Sequence, residues 1–306
     1  MVLILIERLL SLFTIVLCGY GLVKFKLVEY KDSRVLSVIS IYLITPAVIL
    51  HSFQIDYTPK IRDNFLLAIM AGVLSHAIML LVNFILKKLM RLNVVEQASL
   101  IYTNAANLII PLIVSLFGEE WVVYSSAFIM VQLFLFWTHG LYLFSGKNQF
   151  DLRSFLTNLN LVSIIIGALS FFLQIKIPKI IDNSLASLAL TIGPIAMLLL
   201  GMIIASSKYG VKYWSFRTLQ FIVIKVFILP LIITLTLKML NGMHLVTDSR
   251  IVLTISLLAA VAPSGVTIIQ MAQLYDRNVE EASILNLLTT ILSVVSIPLM
   301  VGIFNY

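Results

Sequence analysis

Charge is scarce in this chain. Only 11% of its 306 residues are Asp, Glu, Lys or Arg, where soluble domains carry about a quarter. Hydrophobic residues make up 60%, and the mean hydropathy is +1.06. A soluble globular domain is excluded, and the sequence reads as an integral membrane protein with the lipid bilayer as its surroundings. Cysteine is nearly missing too. Cys18 stands alone, which excludes an intramolecular disulfide and a cysteine-based metal site. No apolar run carries a carboxylate near its centre. That argues against an intramembrane aspartyl protease and would leave a sodium site to Asn, Ser, Thr and backbone oxygens. A nucleotide-binding glycine loop, H-E-x-x-H and G-x-S-x-G are all lacking, so neither an enzyme, a metal nor a cofactor is expected. The net charge of +7 comes from residues strung between apolar runs, without a basic patch interleaved with aromatics. Nucleic acid is therefore not an expected partner.

What is there is apolar sequence in membrane-sized lengths. Crossing the hydrocarbon core takes about 20 residues. By that rule, spans are expected near 3–23, 35–54, 65–86, 97–117, 121–144, 158–175, 184–205, 217–239, 251–273 and 281–304. The opening "MVLILIERLLSLFTIVLCGYGLV" lacks a basic leader and a small-residue cleavage site, and Glu7 and Arg8 interrupt it. It is read as a retained span rather than a signal peptide. Loops after the odd-numbered spans hold thirteen lysines and arginines, the opposite side holds seven, and Lys225 lies within a span. This bias predicts a multi-pass protein of the cell membrane with both termini outside.

The chain also suggests two halves. Gly19 and Gly167 are 148 residues apart, and so are Pro46 and Pro194. An odd number of spans per half inserts the halves in opposite orientation. The expected fold is thus all-α, with ten transmembrane helices as two inverted five-helix repeats. Residues 1–147 and 158–306 would be the repeats and 148–157 a cytoplasmic linker. The fourth span of each half is interrupted. In "YTNAANLIIPLIVSLFG" the residues Thr103, Asn104, Asn107 and Pro111 intrude on an apolar run. In "APSGVTIIQ" it is Pro263, Ser264 and Gly265, with Thr267 and Gln270 following.

Proline removes a donor and frees the carbonyl one turn earlier, and glycine lets another backbone approach. In lipid, freed backbone groups are tolerated only beside protein or a water-lined cavity. Two interrupted helices in corresponding places therefore point to a midplane binding site. A half-helix beginning at Ser264 would turn free N–H groups and its positive end toward that site, which suits an anion. The plainer alternative is two kinked helices whose Asn and Ser side chains hold neighbouring helices. Whether the fourth span breaks at Thr103–Asn104 or at Pro111 stays open on the sequence.

Two titratable residues stand inside spans. Burying a lysine at mid-membrane costs about 2.5–3.5 kcal/mol on insertion scales. Lys225 either snorkels to the cytoplasmic surface, or serves as an anion partner or a charge alternating with a proton. His76 lies 149 residues earlier, in the equivalent place of the first half. It is either a hydrogen-bonded interior residue or a proton carrier. His51 is expected near the outer interface, and Gln132 and His139 in packing.

"LAAVAPSGVTIIQMAQLYD" followed by "SIPLMVGIF" resembles the ninth and tenth helices of the auxin efflux carrier family, which includes plant PIN carriers and bacterial malate and malonate permeases. "LFTIVLCGYGLVKFKLVEYKDSRVLSVISIYLITPAVILHSF" looks like its first two helices, and "GPIAMLLLGMIIAS" like its seventh. The resemblance implies scaffold and transport domains, helices four and nine crossing at their breaks, and a homodimer. Asn104 matches an asparagine of the fourth-helix break and Pro263 the ninth-helix proline. Thr103 stands where PIN carriers have proline, and Ala106 and Ile109 where bacterial members often have glycine, which implies a milder fourth-helix break.

The expected function is a secondary carrier that moves a small organic anion, such as a mono- or dicarboxylate, by alternating access. Thr103, Asn104, Asn107, Pro263, Ser264, Gly265, Thr267 and Gln270 are the expected substrate-binding residues, with Lys225 and His76 as coupling candidates. The expected coupling ion is H+. A sodium-coupled symporter of the bile-acid-symporter-like type is one alternative. A membrane receptor of the same fold, binding a small anion without net transport, is another.

Overall fold

In a computed structural model, residues 2–146, 159–206 and 216–306 are described. The linker expected at 148–157 lies outside them. Helices follow the apolar runs. The first are α1 (Val2–Lys24), α2 (Ser33–Ser52) and α3 (Pro59–Leu89). The fourth run is divided into α4 (Val94–Ile101) and α5 (Ile110–Phe117), and α6 covers Glu119–Ser145. Then come α7 (Leu159–Leu173), α8 (Lys179–Ala189), α9 (Ile192–Ser206) and α10 (Phe216–Asn241). The ninth run is divided into α11 (Ser249–Ala260) and α12 (Val266–Leu274), and α13 (Val279–Asn305) closes the chain. The described residues contain no strand, only one isolated bridge between Thr103 and Ser264.

Among the described residues, six stretches are long and apolar enough to cross a membrane: Ser33–Ser52, Pro59–Leu89, Glu119–Ser145, Lys179–Ala205, Phe216–Asn241 and Val279–Asn305. Phe13–Lys24, Leu159–Leu173 and Ser249–Ala260 are shorter apolar helices. This is an all-helical, multi-pass membrane architecture.

Prolines account for three local irregularities. Pro46, Pro111 and Pro230 each follow a widened π turn, at Ser40–Ile44, Ala105–Ile109 and Ile224–Ile228. A proline ring clashes with the carbonyl four residues before it. Here those carbonyls belong to Tyr42, Asn107 and Val226, each inside its widened turn, where the extra residue relieves the clash. The hydroxyl of Thr45 donates to the Ser40 carbonyl, 2.8 Å away, and occupies an acceptor in the first of these turns.

The helices pack in two groups. In one, α1 lies along α9, and α2 packs on α7, α8 and α9. Gly19 and Gly201 make the α1–α9 contact tight, because a Cβ on either would overlap the opposing backbone at Leu198 or Val16. In the other, α3 packs on α6 and α11, and α13 packs on α4, α10 and α12. The seam between the groups runs through α1 on α13, α9 on α5 and α2 on α6. Ion pairs finish both ends of the second group, Lys60–Asp248 (2.9 Å) at one and Arg217–Glu96 (2.6 Å) at the other.

Candidate functional site

The two divided helices meet where they are divided. Asn104 N–H donates to the Pro263 carbonyl (2.8 Å), and Gly265 N–H donates to the Tyr102 carbonyl (3.1 Å). This reciprocal pair is the bridge between Thr103 and Ser264. Local chemistry prepares it on one side. Pro263 has no N–H and disfavours helix in the residue before it, so α11 stops at Ala260. A Cβ on Gly265 would stand 3.2 Å from the Thr103 carbonyl oxygen, closer than most neighbours allow, so glycine permits the approach. On the other side, the chain leaves α4 at Tyr102 in an extended conformation, φ −96° and ψ 119°. The break therefore lies at 102–104. Pro111 sits in the first turn of α5.

Most of the freed backbone groups can be accounted for. At the end of α4, the Ser99 carbonyl accepts from Ser264 Oγ (3.1 Å) and the Leu100 carbonyl accepts from Lys225 Nζ (3.0 Å). At the end of α11, the Ala259 carbonyl lies 2.8 Å from Thr103 Oγ1. Gln132 Oε1 faces Thr103 N–H at 3.0 Å and Thr103 Oγ1 at 2.9 Å, while its Nε2 donates to the Thr103 carbonyl at 3.0 Å. The amide of Gln132 thus pairs with Thr103 much as a neighbouring strand would. Ser264 is held from α13, where Thr289 Oγ1 accepts from its N–H (3.2 Å) and Asn286 Nδ2 donates to its carbonyl. Tyr102 donates its hydroxyl to the Leu135 carbonyl (3.0 Å), next to the π turn Phe136–Gly140, and meets His139 Nδ1 at 2.9 Å.

Several expected residues are placed differently from the sequence reading. The second half-helix begins at Val266, with Gly265 as its N-cap. The N–H groups of Ser264 and Gly265 are spent on Thr289 and Tyr102. Val266 and Thr267 are left as the first-turn donors of α12. Lys225 does not snorkel. It is 3% exposed, and its ammonium lies at the negative end of α4. Gln132 and His139, expected only to pack, both bond to the crossing region.

Asn104 is buried, yet its carboxamide makes no hydrogen bond within the protein, and the same holds for the half-buried Thr267 and Gln270. The side chain of Asn107 lies outside what is described. His76 donates from Nδ1 to the Gly72 carbonyl (2.8 Å), and its ring packs 4.7 Å from that of Phe128. Its Nε2 is buried without a close partner, on the side of Gln132.

The structure thus brings Thr103, Asn104, Pro263, Ser264 and Gly265 together, with Lys225 joined through Leu100. Gln132, Asn286 and Thr289 were not foreseen. The signal for the last two was the stripe Asn286, Thr289, Thr290, Ser293 and Ser296, spaced to share one face of an otherwise apolar helix.

A family described as membrane transport protein matches the chain in two successive stretches, 4–153 and 149–301. No curated protein matches it significantly. Covered nearly end to end by the two matches, the chain belongs to the auxin efflux carrier family of membrane transporters.

Proposed function

We propose that the chain is a secondary carrier for a small organic anion, a mono- or dicarboxylate, working by alternating access in the plasma membrane. The observation that carries this reading is the main-chain pairing of two interrupted helices, with Asn104, Thr267 and Gln270 left unengaged around it. These amides and the hydroxyl are free to hydrogen-bond a carboxylate, which accepts at both oxygens. The start of α12 adds backbone donors and the positive end of a helix. Carriers of this general plan bind their coupling cation at freed carbonyls of half-helix ends. In this chain Lys225 already donates to one of those carbonyls, that of Leu100. This favours H+ over Na+ as the coupling ion, with Lys225 and His76 as the groups to test.

The order of interrupted and continuous helices supports two inverted five-helix halves. The fourth run of each half is the divided one, and the family match falls in two stretches. The excess of Lys and Arg in alternate loops supports termini on the outside. Uptake of labelled malate and malonate into liposomes carrying the purified protein tests the proposal, with proton gradient, sodium gradient and membrane potential varied separately. Saturable uptake that follows the proton gradient and is lost in Asn104→Ala supports it. Ligand binding by thermal shift, with no flux under any gradient, would replace the carrier with a receptor.

A further inference from the structure

His51, near the end of α2, lies between two carboxylates. Its Nδ1 is 2.7 Å from Asp182 Oδ1 on α8, and its Nε2 is 3.3 Å from Glu119 Oε2 at the start of α6. A neutral imidazole carries one N–H and would turn a lone pair on one of these carboxylates, whereas the imidazolium has a donor for each. The arrangement therefore fits the protonated ring. Other titratable groups on the surrounding helices stand apart or are engaged elsewhere. The sequence of α7 contains none. Tyr124, the one on α6 near this end, is paired with Asn64 at 3.4 Å. Glu120 and Lys179 are exposed.

The two carboxylates belong to different helix groups. Asp182 and His51 are both in the group built on α1 and α9, while Glu119 opens α6 in the group that holds the crossing. The His51–Glu119 contact therefore spans the seam. Beside it, the Ser52 and Ser126 hydroxyls meet at 3.5 Å. Farther along, the seam is apolar and close, with Gly193 against the Pro111 ring. A cleft of about 20 Å³ lined by His51, Ser52, Glu119 and Leu190 opens at this point. That is room for about one water, enough to carry a proton to the ring.

We propose that His51, Glu119 and Asp182 form a proton-operated clasp across the seam, at the end of the molecule that the loop charges assign to the outside. With the ring protonated, both carboxylates are held and the seam stays shut. When the proton leaves, Asp182 retains the remaining N–H, at Nδ1, and Glu119 is released. The protonated ring therefore holds the conformation described here, and loss of the proton on the outside frees the helix groups to move. The consequence for flux rests on the carrier reading, whereas the clasp itself does not.

The test places nitroxide labels at Ile180→Cys on α8 and Met243→Cys beyond α10, in a Cys18→Ser background. Both positions are exposed and outside the polar contacts. The distance between the labels in lipid is followed over about pH 5 to 8. The short-distance population should rise two- to fivefold, about what a half-exposed ion pair supplies, on going to the acid end. His51→Gln and Glu119→Gln should each abolish that response, and the Glu119 variant, at a half-exposed position, keeps the test usable if His51→Gln folds poorly. A distance that ignores pH, or still follows it in both variants, overturns the clasp. Flux is read separately in the same liposomes. A pH-dependent distance without flux of any anion supports the clasp and refutes the carrier.

Discussion

Lys225→Met tests whether a buried charge is kept for function or for stability. The ammonium is 3% exposed and donates to the Leu100 carbonyl at 3.0 Å. Placing a lysine at this depth costs about 2.5–3.5 kcal/mol. A hydrogen bond from a charged donor returns about 1.5–3 kcal/mol, and a cation at a buried helix C-terminus up to about 2 kcal/mol. These terms nearly cancel. Methionine has a similar length and no charge, so the variant gives up the bond and the dipole contact but is relieved of the burial cost. Its stability should lie within about 2 kcal/mol of the parent, in either direction. Transport should behave otherwise. If the ammonium balances an anion or the coupling proton, losing one charged interaction of about 2 kcal/mol lowers flux about thirtyfold.

Thermal unfolding in detergent and uptake in liposomes, measured on the same preparations, separate these quantities. A variant that unfolds several kcal/mol more easily, and whose flux falls only in step with the folded fraction, would make Lys225 a strap for the end of α4. A variant with normal flux would remove Lys225 from the mechanism altogether.

Gln132→Leu should be the more damaging change to the fold, because it strips hydrogen-bond partners from both the N–H and the carbonyl of Thr103. A loss of about 2–4 kcal/mol is expected from two buried backbone groups, read as a lowered unfolding temperature. Asn104→Ala should leave that temperature unchanged, since the carboxamide bonds nothing in the protein, while cutting uptake at least about tenfold, one charged hydrogen bond's worth. Pro263→Ala should also impair uptake with membrane insertion intact, and normal uptake in both variants would sink the crossing point as the site. At the other end of α4, Arg217→Ala should destabilise more than Glu96→Gln. The first leaves a buried carboxylate without its partner 2.6 Å away, whereas the second removes the charge itself. Equal unfolding temperatures for the two variants would show the pair to be energetically idle.

Run length and proline made much of this architecture legible. Apolar stretches of membrane length became helices within a few residues, and the break around Pro263 follows from a missing N–H. The other break does not have that cause. At Thr103–Asn104 there is no proline or glycine, and Pro111, the residue that invites a break, follows the π turn Ala105–Ile109, which accommodates its ring without ending the helix. The helix stops at Tyr102 because Pro263 O and Gly265 N–H offer it hydrogen bonds from the far half of the chain, and no local pattern encodes an offer made from that distance. Lys225 was hidden for a related reason. Its charge is plain in the sequence, but whether the stem runs to the surface or inward depends on where an unpaired carbonyl lies, and that carbonyl exists only because the distant crossing ended α4. The same holds for His51, whose two carboxylates lie 68 and 131 residues away. In a membrane helix a polar side chain that glues and one that serves a site look alike by spacing. They are told apart by what remains unbonded once the helices have packed, and by that measure Asn104, Thr267 and Gln270 stand apart from Gln132, Asn286 and Thr289.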